Sequence, residues 1–188
     1  MQEEIKMKKV VLYIAQSLDG YIADKEGSIN WFGGQGTAMI DDRTYFKFIK
    51  KIDTVIMGRH TYNQIVNESS PDSWAYQGMT SYVLTRKPRP DTDEIKFIQT
   101  DAAHLVNDLV EKGGKDIWVV GGATIVDELI KADLIDIYCI ATMPIILGAG
   151  KRLFESETSE IPLRLVKSKT HDGIITSVYK RREEDDAD

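Results

Sequence analysis

An α/β fold is predicted for this 188-residue chain: a central, mostly parallel sheet with helices on both faces and a C-terminal antiparallel hairpin. Three observations predict it. Short apolar runs alternate with stretches of helical periodicity along the chain. Those runs are continuously apolar, as strands of a parallel sheet covered on both faces should be. Two further strand-like segments near the C-terminus flank Asp172-Gly173, a dipeptide suited to a two-residue hairpin turn.

The elements follow in order. Val10 to Ala15 reads as a buried strand, closed by the turn-forming Ser17-Leu18-Asp19-Gly20. Thr37 to Ile52 reads as a helix, with Ala38, Tyr45, Phe46, Ile49 and Ile52 on its apolar side. Thr54-Val55-Ile56-Met57 is a second buried strand, ended by Gly58. Ser81 to Thr85 and Ile95 to Ile98 are strands separated by the loop holding Pro88 and Pro90. Ala102 to Lys112 carries Leu105, Val106 and Leu109 at helical offsets, and Gly113-Gly114 stops it. Ile117 to Val120 is a strand, Gly121-Gly122 a turn, and Ala123 to Lys131 a helix. Ile135 to Thr142 is another apolar strand, and Leu163 to Lys169 pairs with Ile174 to Lys180.

Composition bounds the function. Lys and Arg number 24 against 30 Asp and Glu, a net charge of −6, which argues against a general nucleic-acid binder. The apolar share of 42% and charged share of 29% are those of an ordinary globular domain. One domain over residues 1–188 is expected, its core near 8–180, with charged tails Met1 to Lys9 and Arg181 to Asp188. A single cysteine, Cys139, excludes an intrachain disulfide framework, and three scattered histidines make a Cys/His zinc site unexpected, so no metal is assigned. Cys139 lies in an apolar strand and reads as a core residue; His104 and His171 have no partners nearby in sequence. No apolar run is long enough to span a bilayer or to serve as a signal-peptide core, so no membrane association and a cytoplasmic location are expected.

Two strand ends share the same chemistry. Met57-Gly58-Arg59-His60-Thr61 and Val120-Gly121-Gly122-Ala123-Thr124 each run from a strand through glycine into a helix start. Glycine admits a phosphate close to the backbone, and unpaired N–H groups of the first turn can donate to it. Taken singly, such a turn is more often only a tight connection. Positive charge raises the case: Arg59 stands in the first turn, where a cation is unfavourable unless an anion answers it. Thr85-Arg86-Lys87, at the end of another strand, adds a hydroxyl and two cations. A dinucleotide phosphorylated on its adenosine ribose would need such a cluster. No G-x-G-x-x-G follows any strand, so the ordinary Rossmann fingerprint is absent.

Met57-Gly58-Arg59-His60-Thr61-Tyr62 resembles the phosphate-binding turn of dihydrofolate reductase, and Val120-Gly121-Gly122 its later glycine pair. Ala15 to Ala23 resembles the opening of the riboflavin-biosynthesis reductase domain of the same superfamily, as does Pro144 to Phe154, which contains Leu147-Gly148-Ala149-Gly150. The resemblance implies a dihydrofolate-reductase-like three-layer fold that binds NADPH across the carboxyl ends of the central strands. By it, Ala15 and Ile22 flank the nicotinamide, and Gly58, Arg59, His60 and Thr61 hold phosphates. Thr85 and Arg86 face the adenosine end, and Gly121, Gly122, Ala123 and Thr124 hold the pyrophosphate. Ala123 stands where the family often has a third glycine.

An acid is needed where a reduction also delivers a proton. Asp41 and Asp42 both fall near the edge of the helical stripe, and periodicity does not choose between them. The resemblance does: Asp42-Arg43-Thr44-Tyr45-Phe46-Lys47 matches the reductase helix whose acid binds the pterin. By that match Asp42 is the catalytic-site residue, a substrate-binding acid suited to passing a proton or orienting one through water, with Tyr45 and Phe46 as walls of the substrate pocket. The alternative is that both carboxylates merely favour the first turns of their helix.

Two departures weigh against dihydrofolate as substrate. No Lys or Arg lies between His60 and Thr85, where the folate enzyme places an arginine, and Ile140 stands where that enzyme has a threonine. The Leu147–Gly150 segment points to the riboflavin branch, whose substrate is a phosphoribosylamino-pyrimidine; no deaminase zinc motif accompanies it. The expected activity is NADPH-dependent hydride transfer to a small heterocyclic or ribosylamino-pyrimidine substrate. Its rivals are dihydrofolate reductase activity and a non-catalytic NADPH- or pterin-binding protein. Riboflavin-branch relatives commonly pair, so the resemblance implies a homodimer through strands near Leu147 to Phe154. Trp31 and Phe32 could form a flap over the nicotinamide or anchor a long loop; Trp74 and Tyr76 could line the substrate mouth or a subunit contact.

Overall fold

The computed structural model describes residues 7–35, 42–87, 89–155 and 159–182, with Asp42 and Arg43 described in their backbone only. Strand β1 (Val10–Ser17) leads to the short β2 (Tyr21–Ala23), helix α1 (Asp42–Ile49) and β3 (Ile52–Gly58). Helix α2 (Arg59–Gln64) continues into a π-helical turn at Ile65–Ser69, then β4 (Thr80–Leu84) and β5 (Ile95–Ile98). Helix α3 (Ala102–Val110), β6 (Asp116–Gly121), α4 (Ala123–Lys131) and β7 (Ile137–Met143) follow. The short β8 (Lys151–Arg152) precedes the hairpin of β9 (Leu163–His171) and β10 (Ile174–Arg181).

Eight strands form one sheet in the order β5-β4-β3-β6-β1-β7-β10-β9. The first six in that order are mutually parallel; β10 runs antiparallel to β7, and β9 antiparallel to β10. The hairpin turn forms as expected, with Asp172 at φ 49° and Gly173 at φ 78°, the positive pair that a two-residue turn between twisted strands requires.

Strand alternation sends side chains to two cores. Leu12, Ile56, Ile117, Val119 and Ile140 face α3 and α4, where Leu105, Val106, Val126 and Leu129 cover them. Tyr13, Val55, Met57, Trp118 and Cys139 face the other side and meet Tyr45, Phe48 and Ile49 of α1. Cys139 is a core residue whose thiol burial pushes up to about 11. His104 is exposed, and its Nε2 lies 3.7 Å from Asp108 Oδ2, a partner one turn on that the sequence reading did not assign.

The helix expected over Thr37 to Ile52 needs correction. Among the described residues it covers Asp42–Ile49 only, and Ile52 opens β3, where it is buried. Thr37, Ala38 and Asp41 lie outside the described residues. The core-facing stripe of α1 is the partly buried Tyr45, Phe48 and Ile49, while Phe46 is 55% exposed.

The strands β2 and β8, too short for a sequence signal, form a separate antiparallel pair. They are held by the two segments that carried the riboflavin-branch resemblance. The Asp19 carboxylate accepts from the Ser17 hydroxyl at 2.7 Å and from the N–H groups of Leu147 at 3.1 Å and Gly148 at 2.8 Å. The Ser17 bond, with the two amides, lowers the Asp19 pKa to about 2. Gly150 then passes so close to the chain that a Cβ there would stand 2.1 Å from the Ala23 carbonyl oxygen. With φ at 147°, the position requires glycine. Among the described residues, no helix is long and apolar enough to cross a membrane.

Candidate active site

The sheet topology creates the cleft. Chain leaving β3 passes through α2 to β4 on one side, and chain leaving β6 passes through α4 to β7 on the other. A crevice opens at the carboxyl ends of adjacent strands whose connections diverge, and ligands of open α/β sheets collect there. A cleft of about 2120 Å³ occupies this position.

Both glycine turns open into it and touch each other. Met57 of β3 pairs with Gly121 of β6, and a Cβ on Gly58 would lie 3.9 Å from Gly122 N. A Cβ on Gly122 would lie 3.6 Å from Thr61 Oγ1, in the first turn of the opposite helix. Gly58 is the N-cap of α2 and Gly122 the N-cap of α4; neither start has a side-chain cap or an acid in its first turn. Helix α3 shows the contrast. Its first turn is capped by Asp101, which accepts from His104 N at 2.7 Å, and Ala102 N donates to Glu128 Oε2 at 2.9 Å. Two helix starts thus carry orphan N–H groups and positive dipole ends at one point of the cleft, an arrangement suited to phosphate.

Gly58, Arg59, His60, Thr61, Gly122 and Ala123 all line this middle section, and Thr124 lies beside them. Gly121 forms the turn without lining the cleft. Its φ of 127° sets the chain reversal, and a Cβ there would press Ile14 Cδ1 at 3.3 Å. At one end, Thr85, Arg86 and Lys87 follow β4. Thr85 is buried; its Oγ1 receives Lys87 N at 3.1 Å and donates to Lys87 O at 3.2 Å, while Gln99 Nε2 donates to Arg86 O at 3.1 Å. The turn is fixed by its own hydrogen bonds, leaving Arg86 and Lys87 exposed. Arg59, Arg86 and Lys87 make no ion pair with a described residue.

At the other end, Ala15 and Ile22 line the cleft beside Phe32 and an aromatic wall of Tyr13, Tyr45, Tyr76 and Trp118. Trp31 and Phe32 meet edge to face at 4.6 Å and pack against Ala15, Ala141, Met143 and Ile174, so both act as loop anchors and Phe32 also faces the cleft. Tyr76 lines the cleft, while Trp74, its ring 5.4 Å from that of Tyr76, is held by a 3.1 Å bond from Nε1 to Ser81 Oγ. Of the two pocket walls expected on α1, Tyr45 lines the cleft and Phe46 does not. Asp42 opens α1, and its side chain lies outside the described residues. Tyr13 and Trp118 were missed in the sequence reading. Their only signal is an aromatic ring with a polar handle in each of two otherwise aliphatic strands. No group of three or more His, Cys, Asp or Glu among the described residues could hold a metal ion.

A mostly parallel sheet, an antiparallel closing hairpin and a phosphate-suited crevice between two glycine turns define a dihydrofolate-reductase-like protein. The fold matches Enterococcus faecalis dihydrofolate reductase complexed with NADP(H) and RAB-propyl, at a TM-score of 0.65 and 20% identity over 93% of this chain and 97% of that one. Within that class the chain belongs to the RibD C-terminal domain family, whose model matches residues 8–176. A putative riboflavin biosynthesis protein from Shewanella sp. PV-4 superposes with a TM-score of 0.81 at 29% identity, covering 93% of this chain and 99% of that one. The uncharacterized protein YwjB of Bacillus subtilis (strain 168) is 39% identical over 178 residues, 93% of this chain and 98% of its own.

Proposed function

We propose that this chain is an NADPH-dependent reductase that transfers hydride to a small heterocyclic or ribosylamino-pyrimidine substrate. The observation that carries the reading is the meeting of two uncapped helix starts at one crevice flanked by Arg59, Arg86 and Lys87. Those residues fit a dinucleotide phosphorylated on its ribose: amides of α2 and α4 for the pyrophosphate, Thr85, Arg86 and Lys87 for the adenosine end. Bound NADPH supplies the hydride. The chain holds the nicotinamide ring against Ala15 and Ile22 and excludes water with the aromatic wall. Asp42, at the start of α1, binds the substrate and orients or passes its proton. The likeness to a reductase complexed with NADP(H) and to a putative riboflavin biosynthesis protein supports both halves of the reading.

Titration with NADPH and NADH, followed by nicotinamide fluorescence, tests the cofactor; dihydrofolate and the riboflavin-pathway pyrimidine are then added and oxidation followed by absorbance. Tighter binding of NADPH is expected, and Arg86→Ala should cut that preference about tenfold, by removing one charge-assisted phosphate contact. Equal affinity of the wild-type chain for both nucleotides would refute the assignment. Asp42→Asn should leave cofactor affinity intact and lower turnover by about a hundredfold or more.

The same reading includes a homodimer through the segment after β7. Ile146 and Phe154 are exposed there on either side of the docked Leu147–Gly150 stretch. Light scattering on a sizing column is expected to give twice the chain mass, and a strictly monomeric species overturns it.

A further inference from the structure

The substrate end of the cleft contains a polar group that the proposed chemistry has not used. Tyr13 is only 6% exposed, yet its hydroxyl is buried without a hydrogen-bond partner among the described residues. A buried hydroxyl with nothing to bond is a standing cost to the fold, and most native tyrosines in cores find a partner. Here the ring is fixed from several sides. It meets Phe48 edge to face at 4.6 Å and Trp118 at 6.1 Å, and the Trp118 indole donates to the Tyr13 carbonyl oxygen at 3.0 Å. Tyr76 and Tyr45 complete the wall, their rings 5.0 Å and 6.1 Å from Trp118. Tyr13, Tyr45, Tyr76 and Trp118 all line the cleft, so the orphan hydroxyl is carried by a residue of its aromatic wall.

We propose that Tyr13 is a substrate-binding residue, whose hydroxyl donates a hydrogen bond to a carbonyl or ring-nitrogen acceptor of an uncharged planar heterocycle resting on the Trp118–Tyr76 part of the wall. The inference rests on the reductase reading above and narrows its substrate class. Three features select the class. The wall offers aromatic surface, which favours a flat ring. Its described side chains carry no formal charge at neutral pH, so a charged ring would lose its hydration without an answering ion. Burial raises the Tyr13 pKa, so the group stays protonated and acts as a donor. The hydroxyl oxygen exposes less than 1 Å², so a ring reaches it by displacing a cover. Tyr45, half-buried and packed 6.1 Å from Trp118, is the side chain that turns aside to admit it.

The test compares two uncharged planar probes by calorimetry, on wild type and Tyr13→Phe. Quinazoline-2,4-dione carries carbonyl acceptors, whereas indole has a similar shape and none. Tyr13→Phe is expected to weaken the dione about tenfold and to leave indole within twofold. The substitution keeps the ring and removes an unpartnered hydroxyl, so melting temperature should stay level or rise. Equal loss of both probes, no loss of the dione, no dione binding by wild type, or a clear fall in melting temperature each overturns the proposal. The NADPH titration of the wild-type chain reports separately on the reductase reading. Dione binding that depends on Tyr13 without NADPH binding would leave Tyr13 in place and remove the reductase.

Discussion

Gly58→Asp is expected to stabilise the chain and, at the same time, sharply weaken NADPH binding. Gly58 has φ −80° and ψ 162°, an extended conformation open to any residue, so the substitution introduces no backbone strain. A Cβ there meets Ile125 Cγ1 at 3.5 Å and Gly122 N at 3.9 Å, ordinary contacts. The new carboxylate would cap α2, which now has no side-chain cap, and would lie against the uncapped start of α4. Capping, the dipole and the lost freedom of the unfolded chain together contribute about 1 kcal/mol, or roughly 2 to 4 °C in a chain of this size. That carboxylate occupies the place assigned to phosphate. Two like charges about 4 Å apart near a protein surface repel by about 4 kcal/mol, so NADPH affinity should drop at least a hundredfold. Thermal melting and nicotinamide fluorescence on the same variant read both effects. A stabilised variant that still binds NADPH normally would move the phosphate away from the β3–α2 turn.

The opposite signs expected there follow from what made the two glycine turns legible in sequence. Glycine at a helix N-cap forgoes a stabilising cap, and here two such positions stand at the ends of adjacent strands. Local chemistry also fixed the Ala123–Lys131 helix and the Asp172-Gly173 turn, whose bounds the structure reproduces. Where local chemistry is thin, reading fails. Among the described residues helix α1 spans barely two turns, so apolar Ile52 of the next strand falls on the extrapolated stripe although it is buried in β3. Phe46 lies on that extrapolated stripe, and the structure turns it to solvent. Tyr13 and Trp118 sit in strands buried on both faces, where an aromatic reads the same whether it meets a core or a cleft. The β2–β8 pair has no local signal, because Asp19 and Gly150 create it from residues well over a hundred positions apart.

At the other end of the sheet, removing Asp53 should cost far more than removing its partner, Lys8. Lys8 is 7% exposed, with its Nζ 2.5 Å from Asp53 Oδ1 and 2.8 Å from Thr54 Oγ1. Asp53 is 36% exposed and also accepts from Lys115 N at 2.8 Å. Asp53→Ala leaves a buried ammonium with only a hydroxyl oxygen to answer it. After discounting for the exposed carboxylate, the expected loss is about 2 to 3 kcal/mol, or roughly 5 to 10 °C. Lys8→Met keeps the apolar stem and leaves a carboxylate that water, Thr54 and Lys115 still satisfy, so its effect should stay within about 1 kcal/mol. The pH dependence separates them further. Burial opposes ionisation of Asp53, but the bonds from Lys8, Thr54 and Lys115 outweigh it and hold the folded pKa below the ordinary value. The stability this contributes is complete above the unfolded carboxylate pKa near about 4 and is lost as pH falls through the lower folded value. The gap between wild type and Asp53→Ala should therefore close in acid. A gap that is flat across that range, or a Lys8→Met variant as unstable as Asp53→Ala, would mean the pair acts through packing alone.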